Sequence, residues 1–180
     1  MPSILVFAGP NGSGKSTITE AWELVGVYIN ADTIKQVRGC SDLEAAQEAE
    51  LLREFYLTEK RDFTFETVLS TKRNLDLLHK AKTQGYYIES VFIMTCDVQL
   101  NVLRVKSRVL SGGHSVPEEK VLSRYSKSLA NLKELIRLSD RCTVIDNTVL
   151  PEIVVTKRGG SVKVIPNEFW TERKLLGLIQ

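Results

Sequence analysis

Long apolar runs are missing from the 180-residue chain. The longest, such as Ile4 to Ala8, falls far short of the roughly 20 residues a membrane span needs, so a soluble protein is expected. An export signal is missing too. Met1-Pro2-Ser3 leads directly into a strand-like run without a basic segment, an apolar stretch of roughly 7 to 15 residues or a cleavage site, which makes the cytoplasm the expected location. Cysteine is scarce: Cys40, Cys96 and Cys142 are far apart, with no CxxC or Cys/His cluster. That excludes a zinc module and a disulfide framework, and reads as reduced thiols. There is no low-complexity tract and no internal repeat, so disordered and solenoid classes fall away.

What is present is ordinary for a globular domain: 43% hydrophobic and 26% charged residues. The length suits one domain over residues 1–180. The net charge of +2 hides an asymmetry, since residues 1–100 hold 10 basic and 14 acidic side chains and residues 101–180 hold 14 and 8. The surplus after Asn101 would suit a small polyanionic ligand if it converged on a cleft.

Strand and helix signals alternate. Ser3 to Ala8, Val25 to Asn30, Phe63 to Thr67, Tyr86 to Thr95 and Thr143 to Asp146 read as five strands. Helices are expected at Lys15 to Leu24, after Asp32, at Ser41 to Lys60, at Asn74 to Thr83, in the leucine- and valine-rich stretch through Leu110, and at Glu118 to Leu138. Ser41 and Glu44 have capping-box spacing, with Leu43, Ala46, Leu51, Leu52 and Phe55 supplying an apolar face. Leu100, Leu103 and Leu110, with Val102, Val105 and Val109, are expected to form the buried side of the next-to-last of these helices. The alternation predicts an α/β fold with a mainly parallel five-stranded sheet between two helical layers. Ile153 to Ile165 reads as a β-hairpin turning at Gly159-Gly160, and Asn167 to Ile179 as a terminal helix carrying Phe169 and Trp170. This segment, about 151–180, is an appended edge.

Gly9-Pro10-Asn11-Gly12-Ser13-Gly14-Lys15-Ser16-Thr17 matches GxxxxGK[ST] and stands between a buried strand and a helix, where the motif has physical meaning. Successive backbone N–H groups there surround an anion, and side chains on Gly12 or Gly14 would hold the backbone away from phosphate oxygens. Lys15 would reach the β and γ phosphates, and the Ser16 hydroxyl would ligate Mg²⁺. Asn11, Ser13 and Thr17 complete the expected nucleotide cradle. No aspartate begins a DxxG and no NKxD occurs, so a guanine-reading switch is excluded. Val91 to Asp97 lacks the second acid of a motor ATPase. The sequence therefore predicts a compact P-loop NTPase of kinase type, with ATP and Mg²⁺ as cofactors.

Asn30-Ala31-Asp32 follows the second strand, at the sheet edge where open α/β sheets bind ligands. Asp32 reads as a general base that takes the acceptor proton, or as the cap of the following helix. Phe65-Glu66-Thr67 closes the third strand, and Glu66 and Thr67 read as substrate-holding groups or as a solvated strand end. Arg104 and Arg108 share a helix face before Gly112-Gly113-His114, and Arg124 lies in the next helix. They read either as a helical lid over about 104–124, closing on phosphate, or as exposed helical arginines. His114 is a loop cap or a ligand contact, His79 a surface residue, and Asp97 a helix cap or an indirect partner of the magnesium shell.

The ordered set Ala8 to Thr17, Asn30 to Asp32, Phe65 to Thr67, and Gly112 to Glu118 running into Arg124-Tyr125 and Ser128 to Leu132 resembles the zeta-toxin-like family of P-loop kinases, in its short form. The resemblance covers most of residues 3–147. It implies a phosphotransferase fold related to adenylate and shikimate kinases, and the toxin branch phosphorylates a sugar hydroxyl of UDP-N-acetylglucosamine. By motif it implies Lys15 on phosphate, Asp32 as catalytic base, Glu66 and Thr67 at the acceptor, and Arg108 and Arg124 as catalytic lid arginines. An antitoxin-like partner follows from the same resemblance.

The expected function is transfer of the ATP γ-phosphate to a hydroxyl of a small molecule, such as a UDP-N-acetyl sugar. Two other readings share the P-loop: an ATP-gated binding protein with a protein partner, and a polynucleotide 5′-kinase. The latter would want a basic aromatic groove that the sequence does not display, so no nucleic acid partner is expected.

Overall fold

The computed structural model describes residues 1–113 and 115–180. One seven-stranded sheet runs through it in the order β2-β3-β1-β4-β5-β6-β7. The strands are β1 (Ser3–Ala8), β2 (Val27–Ile29), β3 (Phe63–Thr67), β4 (Tyr87–Met94), β5 (Arg141–Asp146), β6 (Glu152–Arg158) and β7 (Ser161–Val164). The first five are parallel, as the alternation predicted. The count of five is nevertheless short by two, because β6 pairs antiparallel with β5 and β7 with β6, so the hairpin extends the main sheet.

The helices are α1 (Lys15–Glu20), α2 (Ala31–Arg38), α3 (Asp42–Thr58), α4 (Arg73–Thr83), α5 (Val98–Leu110), α6 (Glu118–Leu138) and α7 (Glu172–Ile179). β1 is buried along Ile4 to Ala8, and its alternating side chains enter two cores. Ile4, Val6 and Ala8 join Phe63, Phe65 and residues of α3, α4, α6 and α7, whereas Leu5 and Phe7 join Val91 and Ile93 under Ile18 and Trp22. A strand buried on both faces in this way reads as an unbroken apolar run, which is why β1 was legible.

Three helical expectations need correction. The Ser41–Glu44 capping box is present, but α3 buries Ala45, Ala49, Arg53 and Leu57 and leaves Leu43, Leu51 and Phe55 exposed. Small alanines allow close approach to the sheet, and the bulky residues lie on the other side. On α5 the buried side is Asn101, Val102 and Val105, while Leu103 and Leu110 face outward. Residues 167–170 are not helical. The Asn167 side chain instead accepts from the Phe169 and Trp170 amides and donates to Asp146, and α7 starts after Thr171.

α5 and α6 pack through a small cluster of their own, Val102, Val105 and Val121 with Val116, separate from the two main cores. α6 is also tied to the sheet, since Tyr125 Oη donates to the Thr95 carbonyl at 2.5 Å. Among the described residues, no helix is long and apolar enough to cross a membrane.

Tyr86, buried ahead of β4, points its hydroxyl at the carbonyls of Tyr56, Leu57 and Arg61, at 3.0, 3.3 and 3.2 Å. This closes the end of α3 onto the sheet. Tyr86→Phe removes the donor without changing shape, and is expected to lower unfolding free energy by about 1 to 2 kcal/mol in urea titration.

Candidate functional site

The carboxyl end of β1 lies between β3 and β4, and the Gly9 to Lys15 loop begins there. Its carbonyls are held from outside. Asn101, fully buried on α5, donates to Asn11 O at 2.7 Å and accepts from the Thr95 hydroxyl. Asn147, just after β5, donates to Ser13 O at 2.8 Å. Gly9 N donates to Thr67 O and Ser13 N to Pro10 O, both at 3.2 Å, which leaves the amides of Asn11, Gly12, Gly14 and Lys15 as the donors the loop can offer an anion.

The glycines are needed for packing as much as for a ligand. A Cβ at Gly12 (φ +78°) would stand 2.4 Å from Asn101 O, and one at Gly14 (φ +90°) would stand 2.3 Å from the Asn147 amide nitrogen. The sequence expectation placed the obstruction at phosphate. The structure adds that a side chain at either position would displace an asparagine that braces the loop.

Lys15 donates from Nζ to Gly9 O at 2.8 Å and Pro10 O at 3.1 Å. Burial lowers its pKa to about 8. Arg108 also depresses it, while Glu66 and Asp32 oppose the fall. Two polar atoms of the same loop, Asn11 Oδ1 and Ser13 Oγ, are buried without a hydrogen-bond partner. A lysine held in a loop with partnerless polar atoms and those donor amides fits a bound polyphosphate.

A cavity of about 610 Å³ opens from the loop. It brings together Asn11, Gly12, Gly14, Lys15, Ser16 and Thr17 with Asp32, Glu66, Thr67, Arg108 and Arg124. Gly9 supports it through the carbonyl that holds Lys15, and Ser13 is buried beneath it. The residues expected from separate parts of the chain therefore share one pocket. Arg104, Asn30, Val68 and Val116 also line it.

The cap of α2 is Asn30, whose Oδ1 accepts from the Asp32 amide at 2.8 Å. The carboxylate of Asp32 is thus not used as the cap. Glu66 accepts from Tyr28 Oη at 2.5 Å. Thr67 Oγ1 accepts from Leu69 N at 2.9 Å and Asn74 Nδ2 at 2.8 Å, which orders the segment after β3. Leu69 there is buried with φ +55°, a rare backbone state for a leucine, and Asn131 holds its carbonyl at 2.8 Å.

Arg104 differs from the lid reading. Its guanidinium donates to Asn147 O at 2.8 Å and Thr148 O at 3.0 Å, so it fixes the loop after β5 instead of standing free above the cavity. Asp97 caps α5, accepting from Gln99 N at 2.9 Å. His79 is a surface residue paired with Glu134 at 2.7 Å. The expectations for His114 lie outside the described residues. Sequence reasoning missed Tyr28, Asn101 and Asn147. The available signal for Asn101 was a lone amide between the valines of an otherwise apolar helix face; the others gave none.

The Ser16 hydroxyl lies in the cavity beside Lys15 and supplies the hard oxygen that Mg²⁺ takes in such loops. Among the described residues no group of three or more His, Cys, Asp or Glu forms a separate metal site. A serine at position 16 beside Lys15 fits a Mg²⁺ that also binds phosphate oxygens.

A family model described as Zeta toxin matches residues 42–169. The chain is 32% identical over 127 residues to an uncharacterized protein of Haemophilus influenzae, covering 67% of this chain and 91% of that protein. Among solved structures, the AvrRxo1-ORF1:-ORF2 complex with ATP superposes with a TM-score of 0.73 at 16% identity, over 91% of this chain and 60% of that one. A structure from the PezAT chromosomal toxin-antitoxin system of Streptococcus pneumoniae gives 0.58 at 17% identity, over 87% and 72%. The chain spans about three fifths of the AvrRxo1 chain it matches. At these identities the structural likenesses establish the fold.

The depressed Lys15 predicts a pH dependence. A polyphosphate needs the ammonium form, and the free protein gives up this proton near pH 8. ATP affinity, measured by calorimetry, should be level below pH 8 and fall by up to about tenfold per pH unit above it. Lys15→Met should bind weakly at every pH and lose that slope.

Proposed function

Because this chain belongs to the zeta toxin family, we propose that it moves the γ-phosphate of ATP to a hydroxyl of a small molecule, with Asp32 as general base. The observation that supports this best is one cavity holding both the P-loop lysine and an aspartate relieved of capping duty by Asn30. Residues 1–180 would then work as one kinase domain, in the cytoplasm. The lid would span about 104–124, and the hairpin and last helix, about 151–180, would complete the sheet.

The chemistry needs little from the protein beyond placement and charge. The triphosphate lies against the loop amides with Lys15 at its β and γ groups. The reacting hydroxyl is held at Asp32, and Glu66, with Thr67 beside it, holds the rest of the acceptor. The acceptor oxygen forms a bond to Pγ as the Pγ–O bond to ADP breaks, and the hydroxyl proton passes to Asp32. Arg108 and Arg124 stabilise the charge that spreads over the transferring phosphoryl oxygens. Mg²⁺, held through Ser16, would neutralise charge on the β and γ oxygens.

UDP-N-acetyl sugars are the first acceptors to test, on the strength of the family. A second reading, an antitoxin-type protein partner, is favoured by the toxin-antitoxin system to which the S. pneumoniae neighbour belongs. The readings separate on acceptor dependence: a kinase consumes ATP faster when its acceptor is supplied, and a gated binder does not.

The test uses γ-labelled ATP with uridine sugars, a metabolite extract and a 5′-hydroxyl oligonucleotide, scoring products that gain one phosphate. Asp32→Asn should reduce small-molecule transfer by about 10² to 10⁴ while ATP affinity stays within about twofold. Undiminished transfer by that variant would remove the base assignment.

A further inference from the structure

β2 is the short outer strand of the parallel sheet, three residues long, yet its tyrosine reaches Glu66, which lines the cavity. Tyr28 Oη donates to Glu66 Oε1 at 2.5 Å, across the pairing of β2 with β3. The same oxygen accepts from Asn30 Nδ2 at 2.8 Å, and Asn30 Oδ1 in turn accepts from the Asp32 amide at 2.8 Å. A phenol has one proton to give, and here it goes to the carboxylate because the Asn30 amide nitrogen can only donate.

We infer that Tyr28 is a positioning residue that clamps Glu66 and, through Asn30, sets it in fixed relation to the helix start that carries Asp32. The inference deepens the kinase reading and rests on its placement of Glu66 at the acceptor. With one oxygen of Glu66 occupied, the other is left to accept from a single acceptor hydroxyl. A long, freely rotating carboxylate becomes a one-point acceptor. The clamp therefore selects for a hydroxyl-bearing substrate that offers two donors, one to Asp32 and one to Glu66, as vicinal hydroxyls of a sugar or polyol do. Partial burial and the adjacent carboxylate both push the Tyr28 hydroxyl well above the ordinary phenol range, so it stays a donor throughout physiological pH.

Two measurements on the full chain test this. In protein labelled with ¹³Cζ-tyrosine, the Tyr28 signal is assigned by its loss in Tyr28→Phe. It should remain un-ionised at about pH 10, where ordinary tyrosines titrate, and titrate at least about one pH unit earlier in Glu66→Gln. A Tyr28 signal that titrates with the exposed tyrosines and ignores Glu66→Gln overturns the clamp. This arm needs no acceptor. In the transfer assay, Tyr28→Phe should raise the acceptor KM about tenfold and leave the ATP KM within about twofold. In the Glu66→Gln background it should add nothing.

Asn30→Asp provides a control that keeps the cap. Its carboxylate still accepts from the Asp32 amide but competes with Glu66 for the tyrosine proton, so it should melt like the parent and share the raised acceptor KM. A Tyr28→Phe defect of equal size with and without Glu66, or none at all, overturns the positioning role. Failure of the kinase reading itself shows separately, as no product that gains a phosphate with any acceptor supplied, and leaves the spectroscopic result standing.

Discussion

The arrangement depends on a contest over the carbonyls of one glycine-rich loop. Asn101 and Asn147 take the carbonyls of Asn11 and Ser13, and Lys15 takes those of Gly9 and Pro10. Buried backbone acceptors left unpaired would cost about 1 to 3 kcal/mol each, so the asparagines are strongly held in place. Their grip leaves the amides of Asn11, Gly12, Gly14 and Lys15 as the loop's donors for an anion. It also joins the loop to α5 and to the turn after β5, two elements about 90 and 134 residues away in sequence.

That linkage explains why the cavity gathers residues from so many elements. β1 delivers the loop, β3 delivers Glu66 and Thr67, the first turn of α2 delivers Asp32, and α5 and α6 bring Arg108 and Arg124. Parallel pairing puts the ends of β1, β2 and β3 at one edge of the sheet. The valine cluster that joins α5 to α6 is separate from the two main cores, while α6 also sends Leu132, Leu135 and Ile136 into the larger of them. Arg104 fixes α5 to the carbonyls of Asn147 and Thr148, one turn before Arg108.

The parts legible in the sequence were those in which a local pattern has one physical meaning. An apolar run before GxxxxGK[ST] reads as a buried strand feeding a phosphate loop, and Ser41 with Glu44 reads as a helix start. Patterns with two meanings misled. α3 is apolar on opposite faces, and two of the four side chains it buries are the small Ala45 and Ala49, so counting large residues picked Leu43, Leu51 and Phe55 instead. Arg104 has the same spacing to Arg108 whether it meets a ligand or a carbonyl. The hairpin was found, but its pairing with β5 depends on contacts no local pattern encodes. Tyr28 was invisible for the same reason, since its partner lies 38 residues on and only strand pairing brings the two together.

The central claim is that Lys15 and Asp32 serve one transfer reaction in one cavity, Lys15 on the triphosphate and Asp32 on the acceptor hydroxyl. The most direct test is a crystal structure with Mg²⁺ and a non-hydrolysable ATP analogue. The account predicts the triphosphate against the amides of Asn11, Gly12, Gly14 and Lys15, Lys15 withdrawn from Gly9 O and Pro10 O onto phosphate, and the Asp32 carboxylate facing the γ group across a gap that admits one hydroxyl. A nucleotide seated elsewhere, or an Asp32 carboxylate turned to solvent with Arg108 and Arg124 closed on the phosphates, would contradict it.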